Sequence, residues 1–414
     1  MAQRIVTDTA TGKDATGLTA AWGRLPVLAR IAIVYVVARL ITTGLLLAAA
    51  GVSGPASRYG VDPSLGDLAL GWDAQWYWLA AVSGYPSELP LAAGGHVAEN
   101  AWAFMPVYAY VSAAFGAVLG TWGAGAVVVS LLSGFGACVA LHALLRDRIG
   151  GSAALWAVVF FSCGPLAALF QVGYAESLFL FLLFLALLCV QRRRWAWLYL
   201  LVPVMGFTRP GILAFALFLG LYGIHRLWIR RRDPLPVREI VHIVALGALA
   251  VIVGFAWQAI AAAVTGDPGA YLATELAWRR NFLGDSSMHF APVEGWVQAA
   301  AFWFERWGLG AVTGYVFLVV LVVGVTLALM LPAVRRLGIE VRLWSASYLV
   351  YLLLVFFPQS SVFRLLVPVS PLWGAFAVPR SLWWRLGVLG LALLGQWVWI
   401  YNMYAIANTY WQIP

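Results

Sequence analysis

Val27-Leu-Ala-Arg-Ile-Ala-Ile-Val-Tyr-Val-Val-Ala-Arg-Leu-Ile-Thr-Thr-Gly-Leu-Leu-Leu-Ala-Ala-Ala-Gly51 is an apolar run broken by only two charges, Arg30 and Arg39. Roughly 20 such residues cross a bilayer as a helix. The pattern returns at Ile240 to Thr265 and at Leu309 to Leu331. Across the 414 residues, 63% are hydrophobic and 10% charged, which is more apolar side chain than one water-soluble core can use. Lipid is the solvent this composition demands. Met1 to Pro26 is polar, so the first run reads as an uncleaved spanning helix behind an N-terminal tail over 1–26.

The net charge of +9 does not point to nucleic acid, because the arginines are scattered and Lys13 is the only lysine. Short basic clusters instead punctuate the apolar runs: Arg146 with Arg148, Arg192 to Arg194, Arg226 with Arg230 to Arg232, Arg335 with Arg336 and Arg342, then Arg380 with Arg385. The positive-inside rule makes these loops cytoplasmic. Spans are then predicted near 27–51, 121–145, 152–171, 176–191, 195–208, 210–226, 238–264, 309–332, 342–357, 364–378 and 386–404, about eleven in all. The N-terminus falls inside and the C-terminus outside. Residues 27–414 read as one polytopic all-α domain. Counting Phe104 to Gly120 as a span would reverse every later loop, so it is expected to be re-entrant or interfacial. The short segments flanking Thr208-Arg209-Pro210 are expected to form a tight pair whose tip barely reaches the outer surface. Cys138, Cys163 and Cys189 lie inside apolar runs, which argues against disulfides and zinc.

This topology gathers most of the acids outside, and it leaves two long outer loops, within 52–120 and 266–308. Long loops without regular structure tend to carry function. In the first, Asp67 to Tyr85 reads as an interfacial helix with Leu68, Trp72, Trp76 and Leu79 on a lipid-facing side. Asp73 and Tyr77 lie one turn apart on a neighbouring face. A carboxylate partly desolvated beside aromatic rings is a candidate general base. The bland alternative is a solvated charge.

Several short motifs share a pattern. Trp72-Asp73-Ala-Gln75-Trp-Tyr77, Gly84-Tyr85 and Ala103-Phe104-Met105-Pro106 are followed by Gly173-Tyr174-Ala-Glu176-Ser177, Thr208-Arg209-Pro210-Gly211 and Gln359-Ser-Ser-Val-Phe-Arg364 with Pro371. In this order they resemble the GPI mannosyltransferase II family and its bacterial relatives, over roughly Val27 to Trp373. The chain departs from that pattern at Met105, where an aromatic residue is common, and in the second long loop.

The resemblance implies a C-type glycosyltransferase fold whose members take sugar from a lipid phosphate. No Asp-x-Asp motif is present, and the only lysine lies outside any P-loop context. The implied activity is mannose transfer from polyprenyl-phosphate mannose to a lipid-linked glycan acceptor, at the extracytoplasmic face of the plasma membrane, with inversion. Its implied machinery has Asp73 as the catalytic base, Glu176 as a catalytic carboxylate orienting the acceptor or Arg209, and Arg209 and Arg364 on the donor phosphate. Trp72, Gln75, Tyr77, Phe104, Tyr174, Gln359 and His289 would contact substrate. Each has a plainer reading: Glu176 as a carboxylate favoured by a helix N-terminus, Arg209 as its ion-pair partner, Arg364 as a snorkelling arginine, His289 as a solvated loop residue, the tryptophans as an interfacial belt. Membrane lipids are expected partners and nucleic acid is not. No cofactor is required, although Asp73 and Glu176 together could hold Mg²⁺ or Mn²⁺. A lipid transporter or flippase is the rival function, disfavoured because no internal repeat is visible and the charges collect at one surface. An assembly partner that has lost catalysis is a third reading, disfavoured because Asp73, Glu176 and Arg209 are retained together.

Overall fold

The computed structural model describes residues 22–283, 289–407 and 414, so most of the expected tail, with Lys13, lies outside the described residues, as does Asp285. Among the described residues the secondary structure is helical, apart from one isolated bridge between Leu91 and Val97. Among the described residues six helices are long and apolar enough to cross a membrane: α1 (Val27–Gly51), α5 (Trp122–Ile149), α9 (Ile212–Ile229), α10 (Val237–Thr265), α13 (Ala311–Met330) and the run Leu382–Ile406 that begins as α15 (Leu382–Ile400). Between them lie α2 (Leu65–Ala69), α3 (Asp73–Ser83), α4 (Pro106–Leu119), α6 (Gly151–Ser162), α7 (Glu176–Gln191), α8 (Trp195–Gly206), α11 (Ala270–Leu283), α12 (Glu294–Arg306) and α14 (Ile339–Val355). The protein is a polytopic all-α membrane protein. The clearest sign is α13, whose apolar window is only 6% buried while Val312, Val316, Val320 and Leu327 are exposed. Such a helix is stable only with hydrocarbon around it.

Two expected spans are broken. The run 152–171 is α-helical only to Ser162 and resumes as a 3₁₀ turn at Ala167–Phe170, because Gly164-Pro165 stops the ladder: proline lacks the N–H and pushes the residue before it out of the α region. The run 364–378 divides at Pro368 and Pro371 into Val362–Leu365, a 3₁₀ stretch Val367–Leu372 and Trp373–Ala377. Helices α6 and α8 have 12 residues each and rise roughly 18 Å, short of a full crossing.

Non-helical backbone at membrane depth must find internal partners. Arg39 supplies them for the break after α6. Its Nη2 donates to the carbonyl of Ser162 at 2.6 Å and its Nη1 to that of Ala167 at 2.5 Å, while the guanidinium sits over the Tyr35 and Phe170 rings. Ser130 of α5 does the same further on, donating to the carbonyls of Val172 at 2.7 Å and Tyr174 at 3.3 Å.

The core runs along α5, α6, α7, α9 and α14. Helix α4 packs antiparallel on α5 as a hairpin, closely enough that a Cβ at Gly125 would lie 2.1 Å from the Ser112 carbonyl oxygen. Small residues at such contacts are how helices associate in lipid. At the end carrying the arginine clusters, Arg226 donates to Glu239 at 2.8 Å and pairs with Asp233, and Arg148 reaches Glu340 at 3.0 Å.

Candidate active site

The candidate residues converge at the opposite end of the helices, where breaks and short helices leave room for side chains. Glu176 is the first residue of α7; Arg192 to Arg194 follow its far end. Its approach segment is pinned by Ser130 and by the Gly173 amide, which donates to the Ala69 carbonyl at 2.8 Å. Only glycine fits there, since a Cβ would come within 2.9 Å of Ala74 Cβ. That close approach lays the start of α7 against the start of α3.

The expected single helix over 67–85 is two helices, because Trp72 between α2 and α3 takes a φ of 52°. The turn re-aims the faces. Leu68 is fully buried rather than lipid-facing, and Trp76 stacks on Phe104 at 5.7 Å and meets Trp278 edge-on, so the expected lipid-facing Trp stripe is an internal one. Trp78 and Val82 are the exposed apolar residues of α3 instead.

The same turn makes Asp73 the first residue of α3, where the helix dipole favours a carboxylate. Asp73 pairs with Arg364, 291 residues later, at the end of the short helix Val362–Leu365. Arg364 Nε then lies 3.5 Å from Glu176 Oε1, and Arg209 Nη1 lies 3.2 Å from the same oxygen. Four charges of alternating sign form one chain, Asp73, Arg364, Glu176, Arg209. Exposure falls inward: the side chains of Asp73 and Arg364 are 22% and 12% exposed, those of Glu176 and Arg209 only 3% and 8%. A ligand therefore meets Asp73 and Arg364 first. Burial pushes the Asp73 carboxyl above its ordinary value, with the Arg364 guanidinium opposing.

Hydrogen bonding in this chain is incomplete. Arg209 Nη1 and Arg364 Nε approach Glu176 without hydrogen-bond geometry, and the Arg364 guanidinium lies over the Tyr174 ring, 5.4 Å from its centroid. Arg209 sits on the tip between α8 and α9, where Gly211 at φ 130° allows the reversal. That tip is buried, with Thr208 at 0%, and α4 covers it through the Val107 amide, which donates to the Phe207 carbonyl at 3.0 Å.

Tyr77 closes one wall, edge-on to Phe104 at 5.2 Å and to Tyr108 at 5.0 Å. Trp72 donates Nε1 to the Met403 carbonyl at 3.0 Å. Gln75 is exposed on another face of α3 and accepts from Arg58 at 2.8 Å. Gln359 contacts Ser361, two residues on, and His289 is exposed. The structure thus brings Asp73, Glu176, Arg209, Arg364 and Tyr174 together, flanked by Tyr77 and Phe104. It does not join Gln75 or His289 to them. Among the described residues no group of three or more His, Cys, Asp and Glu gathers as a metal site would need. Asp73 and Glu176 are both engaged by arginines.

Sequence reasoning missed Tyr348 and Tyr404. Tyr348 of α14 lies against the Arg209 tip, 3.4 Å from where a Gly211 Cβ would be, and buried Tyr404 packs with Tyr174 and stacks on Tyr59. Neither stands in a motif; a tyrosine within an apolar run was the only available signal. Glu275 of α11 was also passed over, and burial pushes its carboxyl up to about 7.

No protein-family model matches the chain, and no curated protein matches it. Several solved structures are similar in part. One is ArnT from Cupriavidus metallidurans bound to undecaprenyl phosphate, at 15% identity over 87% of this chain and 63% of that one, with a TM-score of 0.48. Another is the Archaeoglobus fulgidus oligosaccharyltransferase in complex with Zn and sulfate, at 15% identity over 91% of this chain and 52% of that one, with a TM-score of 0.47. The chain thus spans between about half and two-thirds of the length of these two structures.

Proposed function

We propose that the protein is a membrane glycosyltransferase of the C type, transferring mannose from polyprenyl-phosphate mannose to a hydroxyl of a lipid-linked acceptor at the extracytoplasmic face, with inversion. The observation that carries this reading is the pairing of a partly exposed carboxylate, Asp73, with an arginine, Arg364, whose charge is shared with a buried Glu176–Arg209 pair. The sequence motifs that hold all four residues support it.

In the reaction the acceptor oxygen bonds to the anomeric carbon of mannose as the bond from that carbon to the phosphate oxygen breaks. The bonding pair leaves with the polyprenyl phosphate, and Asp73 takes the acceptor's hydroxyl proton. A guanidinium binds a phosphate in the same planar way as a carboxylate. Arrival of the donor phosphate therefore competes for Arg364 and loosens its hold on Asp73, freeing that carboxylate when the acceptor needs a base. Arg364, and Arg209 behind it, offset charge developing on the phosphate, usually the largest contribution in such transfers. Glu176 keeps both arginines oriented.

Purified Asp73→Asn protein in nanodiscs, given labelled polyprenyl-phosphate mannose and a membrane-lipid extract, is expected to lose glycosidic product at least about 100-fold. Near wild-type turnover would refute the assignment. Movement of the labelled lipid between leaflets by this variant, with no glycosidic product from either protein, would favour a transporter instead.

A further inference from the structure

Away from the four-charge chain, two cavities meet at α2. One is a groove of about 720 Å³ between α1 and α5, walled by Val36, Leu40, Leu132 and Phe135 and reaching up to Leu65 and Gly66. Along α1 it runs from Leu46 to Ala32, roughly 21 Å at 1.5 Å per residue, deeper than half of a hydrocarbon core of about 30 Å. The other is a polar cleft of about 500 Å³ that shares Gly66 and is lined by Arg58, Ser64, Asp67 and Gln75. The pair has the shape of an amphiphile: a charged head space opening onto a channel for one chain.

Two details narrow the ligand. The head cleft holds both signs of charge. Arg58 is exposed, stacked over Trp72 at 4.5 Å, and Asp67 is kept ionised because the Ser64 hydroxyl and amide both donate to it. Below the head, the apolar groove has a polar ring made by Thr43, Gln171 and Arg39. Arg39 is 7% exposed, and its Nε has no hydrogen-bond partner although both Nη atoms do. That nitrogen is itself sealed from the groove, so the partly exposed polar groups along it are Thr43 and Gln171.

We propose that this track is a binding site for one glycerophospholipid with an ammonium-bearing head, of the phosphatidylethanolamine class. Its phosphate meets Arg58, its ammonium meets Asp67 and one acyl chain fills the groove past Thr43 and Gln171. The site is separate from the proposed transfer chemistry and stands whether or not that reading holds.

The test is native mass spectrometry of the full chain, delipidated in detergent and titrated with palmitoyl-oleoyl phosphatidylethanolamine or the matching phosphatidylglycerol. Wild type is expected to take one phosphatidylethanolamine in preference to phosphatidylglycerol. Arg58→Glu is expected to weaken that binding about tenfold or more, the effect of one charge-assisted hydrogen bond. Val36→Trp, on an exposed position of α1, is expected to weaken both lipids about tenfold by filling the groove. Asp67→Asn is expected to abolish the preference while keeping the helix cap. Melting temperatures of the variants without lipid check that each is folded. Equal retention of both lipids by wild type, or binding untouched by Arg58→Glu and Val36→Trp in folded protein, would overturn the site and leave only ordinary surrounding lipid.

Discussion

The two ends of the helix bundle hold charges in opposite ways. At the arginine-rich end, Arg226 is saturated: Nε and Nη2 bond Glu239, Nη1 bonds Asp233 and Nη2 also reaches the Pro234 carbonyl. At the other end, Arg209 and Arg364 share one Glu176 oxygen and keep nitrogens with no hydrogen bond. A saturated buried pair has nothing left to offer a ligand, and its role is to tie α9 to α10. An under-bonded one costs stability and is retained where something else is meant to bind. The difference separates a clamp from a site without reference to any relative.

Breaking each end therefore has a different readout. Arg226→Met leaves the buried Glu239 only a 3.9 Å contact with Arg193 and is expected to cost about 3 kcal/mol, lowering the detergent melting temperature sharply while transfer per folded molecule holds. Arg364→Gln is expected to cut transfer about 100-fold to 1,000-fold with a smaller drop in melting temperature; equal thermal losses at the two ends would break the comparison. The same variant sharpens the acid side of the pH profile. Asp73 must be ionised to act, so activity rises with pH through its folded value, and removing Arg364 takes away the opposing charge and moves that rise to higher pH. Ser130→Ala leaves the Val172 and Tyr174 carbonyls without their donor and is expected to cost about 2 kcal/mol, with a slower reaction because Glu176 is no longer fixed.

The effect confined to stability and pH belongs to Glu275. Its folded value of about 7 stands above the ordinary 4.5, so the folded protein binds more protons between those limits. Stability then falls as pH rises from about 4.5 to about 7. Glu275→Gln should flatten that slope, followed by thermal unfolding at a series of pH values.

Much of this was written locally in the chain. Apolar runs and arginine clusters fixed where helices lie because each signal needs only neighbouring residues. Asp73, Glu176, Arg209 and Arg364 stood out because charges next to apolar runs are expensive. Their pairing was another matter. The Glu176–Arg209 contact was one reading among two, whereas the Asp73–Arg364 pair joins positions 291 apart and leaves no periodic trace. The break after Ser162 was signalled by Gly164-Pro165 yet hidden within a run of suitable length. The turn at Trp72 had no signal, since a bulky residue at positive φ is held only by its surroundings, here the Met403 carbonyl and the Arg58 guanidinium. That one dihedral turned an expected lipid-facing stripe inward.

Arg39 also imposes an order on biogenesis. As the chain leaves the ribosome, its guanidinium enters the translocon well before the Ser162 and Ala167 carbonyls exist, since they lie 123 and 128 residues downstream. Until they arrive, water, lipid phosphates or an upward-reaching conformation must serve that charge. The first helix is thus inserted early but locked late.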